Sequence, residues 1–485
     1  MNKSIYPDRS QLVAECLARA GGPERVMVVA MDMAKEEHTA LICLGTGRCL
    51  TSQPLSVQNT AAGAEWLVHR VQALMHTHRV RRENVLVGAE DPAEYAVNFI
   101  WRLGLDGFPF IRVNAREASW YRTNSRASSD AIDVHGIAQA ILLQRGRALD
   151  EFDLVYAPLK LAARSRRRLV RQETAWKSRI HRGVDVLLPG FLDERHSGLA
   201  PFTQASLSLM QKDFSSVHLC RLRQDALERR LQRLHVRQAA EAATKLKALA
   251  ERALPPPPDL VGYQSRSLAA KVRMLEMVQE SIGMEQNEMA RCLVQTPGFF
   301  LTTIPGVGVV LAAHVMAEYG APQRWHTLDQ MASYAGIVPR QAQSGGSGKP
   351  PVVGELPLDA NRILKDYLLQ AAYHAGTTGD GHRLQRHYLR LEQAGRHSRL
   401  STAKLLLRLA RAMVLTESPY LPAEILHRDP QTTPNHLIDY CRAQLTAVQT
   451  KWKGYDLSGI APDANRLTRW KESTHELIAM LSKNV

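Results

Sequence analysis

Cysteine is scarce and scattered in this sequence. Cys16, Cys43, Cys49, Cys220, Cys292 and Cys441 form no C-x-x-C pair, which argues against a disulfide framework or zinc knuckle and fits a reducing cytoplasm. Long apolar runs are also missing. None approaches the ~20 residues of a membrane-spanning helix, and the opening MNKSIYPDRSQLVAECLARA lacks the apolar core and small-residue cleavage site of a signal peptide. Acidic residues are in deficit: 47 Asp and Glu against 62 Lys and Arg give a net charge of +15. With no membrane segment in view, that excess points to nucleic acid as the partner. The 485 residues leave room for roughly two to four domains.

Residues 1–150 read as an α/β domain. VMVVAMDM, HTALICLG and RCLTSQPLSV are three consecutive strands, with Gly45 and Gly47 marking a turn. Residues 59–79 then place Trp66, Leu67, Val71, Leu74 and Met75 at helical spacing. NVLVGAE and FPFIRVN are strands with a helix between them, and DAIDVHGIAQAILLQ returns to helix. A basic helical region follows over 151–252. A proline spacer, ALPPPPDL, opens the segment 253–297, where Leu268, Val272, Leu275, Ile282 and Met289 form a heptad seam containing Gln279 and Gln286. Such a seam either pairs in a coiled coil or rests on a core; as a coiled coil it is the expected contact within a dimer. Residues 298–419 form a second, mainly helical domain, and 420–485 a helical extension with no assigned role.

Four carboxylates stand out. Asp32 and Glu90 each end an apolar strand, where a buried charge needs a partner, solvent or a metal. Asp130 and Asp133 lie three apart at a helix start, on one face. Taken singly, each has a plain reading as a turn or cap residue. Together they are a set of hard oxygen ligands that Mg²⁺, with Mn²⁺ as its substitute, would gather for phosphoryl transfer.

In the second half, LTTIPGVGVVLAAHVMAEYG reads as a helix-hairpin-helix. Gly306 and Gly308 there would let backbone N–H groups approach a phosphate, although an ordinary turn between packed helices has the same composition. RQAQSGGSGKPP, residues 340–351, raises a separate question at Ser344. A phosphate-cradling loop ending at Gly348–Lys349 would need glycine at 343 and Ser or Thr at 350, and the sequence has Gln343 and Pro350. That leaves a linker or a nucleophile on a glycine-rich loop. On the basic helix, Arg164, Arg167, Arg168, Arg171, Lys177 and Arg179 are dense enough for phosphate contact, or form a solvated face.

The order strand-Asp, strand-Glu, helix-Asp-x-x-Asp resembles the RNase H-like fold of Holliday-junction resolvases. With "GAEDPAEY", "SSDAIDV", "LTTIPGVG…AGIVPRQAQSGG" and "GELPLDANRILKDYL", the chain resembles the bridge-RNA-guided insertion-sequence transposases of the IS-one-ten family over most of residues 26–418. Pro92 and Ala93 stand where that family usually has Thr and Gly, and Lys365 where it has arginine.

The resemblance implies an N-terminal RNase H-like domain holding Mg²⁺ on Asp32, Glu90, Asp130 and Asp133, and a C-terminal transposase domain bearing Ser344. In the family these form a composite site, and the serine gives a phosphoserine link to DNA. Ser347 is the rival nucleophile, and Lys349 a further nucleic-acid contact. The implied partners are donor and target DNA, a structured guide RNA, and further copies of the chain as dimers that pair into tetramers. Two other readings remain: a resolvase-type endonuclease with no covalent intermediate, and an inactive nucleic-acid-binding relative.

Overall fold

The structure, a computed structural model, describes residues 11–90, 97–113, 115–122, 129–148, 151–321, 325, 327–338, 341–342, 352–353, 360–379, 381–422 and 433–483. The chain divides into two compact units, Met1–Glu151 and Phe152–Val485.

The first unit is built on a six-stranded sheet of order β3-β2-β1-β4-β5-β6. Its strands are β1 (Met27–Asp32), β2 (Glu37–Leu44), β3 (Leu55–Gln58), β4 (Val85–Glu90), β5 (Phe110–Val113) and the short β6 (Arg147–Ala148). β2 pairs antiparallel with both β1 and β3, β4 and β5 continue parallel to β1, and β6 is antiparallel to β5. This mixed sheet with flanking helices is RNase H-like.

Side-chain alternation explains the layers. Met27, Val29 and Met31 enter one core with helices α2 (Ala61–His78) and α3 (Val97–Leu105). Val28 and Ala30 enter the opposite core, with α1 (Gln11–Ala20), α4 (Ala115–Trp120) and α5 (Asp130–Leu142). Every residue of β1 but Asp32 is buried, so an apolar run is covered on both faces. The strand expected over RCLTSQPLSV is shorter than its sequence suggests. Cys49 makes only an isolated bridge to Cys43, and regular pairing starts at Leu55, just after Pro54, which has no N–H for a ladder.

In the second unit, two 37-residue helices, α6 (Glu151–Leu187) and α12 (Pro258–Val294), run through two cores. One core joins the C-terminal part of α6 and the N-terminal part of α12 to the short helices between them. These are α7 (Glu194–Ser197), α8 (Gln204–Met210), α9 (Ser216–Arg221), α10 (Gln224–Arg233) and α11 (Ala239–Arg252). The other joins the opposite ends of α6 and α12 to the 3-10 helix Pro297–Thr303, α13 (Val309–Tyr319), α14 (Leu328–Tyr334), α15 (Arg362–Thr377), α16 (Arg383–Gln393), α17 (Ser398–Thr416), α18 (Thr433–Trp452) and α19 (Arg466–Ser482).

The heptad seam of α12 is consumed inside this unit. Leu268, Val272 and Leu275 are fully buried in the first core and Met289 in the second. Gln279 Nε2 donates to Glu173 on α6 at 3.1 Å. Gln286, with its amide oxygen toward α6, accepts from Arg166 Nε and Nη2 at 3.1 and 3.0 Å. The expectation that this seam joins two subunits is therefore corrected: it faces α6 of the same chain, and its glutamines are held there.

The C-terminal helices acquire a structural role. Trp452 and Trp470 lie tilted against Phe299, and Trp452 Nε1 donates to Thr302 Oγ1 at 3.1 Å. Lys451 Nζ donates to the carbonyls of Thr302 and Ile304 at 2.6 and 2.7 Å, serving two carbonyl groups just before the Gly306 turn.

Candidate active site

Parallel pairing of β1 and β4 places Met31 beside Ala89. Asp32 and Glu90 are therefore the next residues on adjacent strands, at the carboxyl edge of the sheet. That edge is where α/β sheets present their ligands. Helix α5 brings the other two carboxylates. Its start is fixed by Ser129, whose side chain accepts from Ile132 N, and its buried face carries Val134, Ile137 and Ile141.

The approach of α5 to the sheet depends on Gly88. A Cβ there would stand 2.5 Å from Ile141 Cδ1 and 3.0 Å from the Ile111 carbonyl oxygen, so a larger residue would have to move the end of the Ile141 side chain on the helix that carries Asp130 and Asp133.

The four carboxylates lie near enough for Asp32 to feel the charges of the other three. Burial, then Asp130, Glu90 and Asp133, push Asp32 from the ordinary 3.8 to about 6, against the lowering effect of Arg122. Burial also raises Glu90, opposed by Arg122 and reinforced by Asp133. Glu90 Oε1 is buried with no hydrogen-bond partner among the described residues.

Arg122 is the residue that the sequence reading missed. Its Nε lies 2.7 Å from Asp133 Oδ1 in a largely buried ion pair. Nothing in YRTNSRASSD distinguishes it from the chain's many other arginines. Among the described residues no three His, Cys, Asp or Glu side chains stand in position to share one ion; here the guanidinium supplies the positive charge. The donor set nonetheless fits a hard divalent cation, being all carboxylate and including one buried oxygen without a partner.

The second-unit candidates separate. Gly306 has φ +77°, and a Cβ on it would lie 2.4 Å from the His374 carbonyl oxygen, so packing against α15 accounts for this glycine. Gly308 caps α13 with no side-chain hydrogen bond, and a Cβ there would meet open space; it retains the features of a phosphate contact. The segment before the turn is a 3-10 helix, not the α-helix of the expected hairpin motif. Ser344, Ser347 and Lys349 lie outside the described residues.

Three of the six basic-helix residues, Arg164, Arg167 and Lys177, are paired with carboxylates inside the chain. Arg164 donates through Nε and Nη2 to the buried Glu318 carboxylate at 2.7 and 3.0 Å. Arg167 pairs with Asp366 at 2.7 Å and lies over the Tyr367 ring. Arg168, Arg171 and Arg179 are exposed and have no ion pair among the described residues.

Glu318 also accepts from Asn361 Nδ2 at 2.8 Å, while Asn361 Oδ1 caps α15. Burial alone would raise the Glu318 carboxyl, but the hydrogen bonds from Arg164 and Asn361 outweigh it and hold the group below its usual range. The associated stability is present above the ordinary carboxylate pKa and lost as pH falls through the lowered one. Glu318→Ala leaves this network without its acceptor. It is expected to cost about 3 kcal/mol in urea unfolding at pH 7, and an unchanged midpoint would show the network to be dispensable.

Residues 29–189 match a DEDD transposase family of the IS110 group. Residues 300–388 match the family described as Transposase IS116/IS110/IS902. The chain belongs to the IS110 family of transposases. No curated protein matches it. The first match runs from β1 through α6, so it takes in all four carboxylates and the basic helix. The second runs from the 3-10 helix to α16 and contains Ser344. The protein is thus a transposase of an insertion sequence, an enzyme that breaks and rejoins DNA strands. Among the described residues no helix is long and apolar enough to cross a membrane.

Proposed function

We propose that this transposase is an RNA-guided recombinase that cuts DNA through a Mg²⁺-bound carboxylate site and a serine nucleophile. The observation that carries the reading is the placement of Asp32 and Glu90 side by side at one sheet edge, with Asp32 raised to about 6 by burial first and then by Asp130, Glu90 and Asp133. Such mutual repulsion is what a divalent cation would relieve, and when bound the ion stabilises charge on the phosphoryl oxygens.

The chain's own groups do the rest. The carboxylates would hold the ion, and Arg122 pairs with one of them, Asp133. The Ser344 hydroxyl loses its proton and its Oγ forms a bond to phosphorus. The bond from phosphorus to the leaving DNA oxygen breaks, and that oxygen takes up a proton. Reversal of the same exchange by a new DNA hydroxyl rejoins the strand and frees the serine. Arg168, Arg171, Lys177 and Arg179 supply phosphate contacts for a structured guide RNA, which carries the sequence specificity.

The test is covalent trapping on labelled element ends, resolved on a denaturing gel. Protein-linked DNA is expected with Mg²⁺, absent with EDTA, and restored by Mg²⁺ or Mn²⁺. Free cut ends without attached protein would favour the resolvase-type endonuclease instead. No cutting with any divalent ion would favour the inactive relative.

A further inference from the structure

An open pocket of about 400 Å³ lies on α6, within the usual size range for small-ligand sites (~300–1,000 Å³). Its walls are Thr174, Lys177, Ser178, His181 and Arg182, which share one helical face, together with Phe202 from the turn before α8. Phe202 has φ +58°, a conformation that a bulky side chain rarely adopts and that marks functional sites more often than others. Its ring stands 5.7 Å from Lys177 Nζ.

The polar atoms are committed in an informative way. Thr174 Oγ1 donates to the Val170 carbonyl at 3.0 Å and Ser178 Oγ to the Thr174 carbonyl at 3.1 Å, so both hydroxyls have lone pairs left but no proton to offer. They suit a ligand that donates, and a phosphate oxygen does not. Lys177 pairs with Glu173 at 2.8 Å, and His181 Nδ1 with Asp185 at 3.0 Å. Arg182 is exposed, with no ion pair among the described residues, and is the cation available to an anion. One turn before Thr174, the exposed Arg171 extends the basic face.

We propose that this pocket receives one unpaired ribonucleotide of a single strand. The base stacks on Phe202, the phosphate meets Arg182, and the ribose 2′-hydroxyl donates to Thr174 or Ser178. Aromatic stacking of this kind tolerates any base, and the 2′-hydroxyl is what distinguishes RNA from DNA. The inference rests on the reading of this chain as a nucleic-acid enzyme and adds a contact site to it.

The test uses the full chain in EDTA, so that no strand is cut, and reads anisotropy of fluorescein-labelled rA12, dA12 and a 12-base-pair duplex. The native protein should bind rA12 more tightly than dA12. Phe202→Leu should weaken rA12 about tenfold and leave the duplex unchanged, while Phe202→Trp, which keeps a stacking face, should bind rA12 as the native protein does. Arg182→Gln should lower the salt slope for rA12 by about 0.7, and Thr174→Val with Ser178→Ala should erase the ribose preference.

Native-like rA12 binding by folded Phe202→Leu overturns the pocket, and equal native binding of rA12 and dA12 overturns the ribose assignment. If Phe202→Leu does not fold, the salt slope of Arg182→Gln decides: an unchanged slope overturns the site. Covalent trapping by the native chain in Mg²⁺ is read as a separate assay, so a failure of the cleavage mechanism and a failure of this site are separately visible.

Discussion

Asp32→Asn is expected to abolish strand cleavage while making the protein more stable at neutral pH. The loss should be about a thousandfold, equivalent to about 4 kcal/mol of transition-state stabilisation at ~1.4 kcal/mol per decade. A carboxamide keeps the shape of Asp32 but brings no negative charge to a cation shared with Glu90, Asp130 and Asp133. The gain in stability follows from the same crowding. Because the Asp32 carboxyl is raised from 3.8 to about 6, the folded state prefers it protonated. The stability linked to that proton is fully present below about pH 4 and lost as pH rises through 6.

At pH 7 in EDTA the native protein bears the repulsion and the asparagine variant does not. Thermal unfolding should show a difference of about 1 kcal/mol after allowance for solvent screening of a half-buried group, vanishing near pH 3. Full cleavage by Asp32→Asn would remove the acidic cluster from the mechanism. A neutral-pH stability equal to the native protein's would mean that Asp32 does not feel the other three charges as described.

The placement of Asp32 and Glu90 at one sheet edge was legible in the sequence where chemistry contradicts local pattern. An aspartate closing VMVVAMD and a glutamate closing NVLVGAE are charged residues at the ends of runs that otherwise belong in a core, and both fall at the edge where β1 and β4 stop pairing. Asp130 and Asp133 were legible for a similar reason, two like charges on one turn.

Arg122 was not legible, because its pairing with Asp133 is made by tertiary packing, which no spacing encodes. Arg164 and Arg167 mislead in the opposite direction. On sequence alone they belong to an exposed basic stripe, but their partners, Glu318 and Asp366, lie 154 and 199 residues away. The seam of α12 shows a further limit. A heptad pattern specifies that one face is covered and says nothing about which helix covers it, so α6 of the same chain satisfied it.

Ser344→Ala is expected to eliminate the covalent protein–DNA adduct without unfolding the protein. Ser344 lies outside the described residues, so the argument is chemical. On the sequence reading of this glycine-rich stretch as a connector, the change in stability is expected to stay within about 0.5 kcal/mol, and melting of Ser344→Ala should match the native protein within that margin. Alanine has no oxygen with which to attack phosphorus, so the adduct should fall below detection while RNA and DNA binding persist. Asp32→Asn should lose the adduct as well, since a nucleophile needs the phosphate charge to be stabilised.

Ser347 is the control that gives the experiment its force. It sits three residues on in the same glycine-rich stretch, so Ser347→Ala makes the same chemical change nearby while leaving the proposed nucleophile in place, and it should retain at least part of the adduct. An adduct that persists in Ser344→Ala and disappears in Ser347→Ala would transfer the role to Ser347. An adduct that persists in both would discard the serine mechanism and return the carboxylates to an endonuclease acting through water.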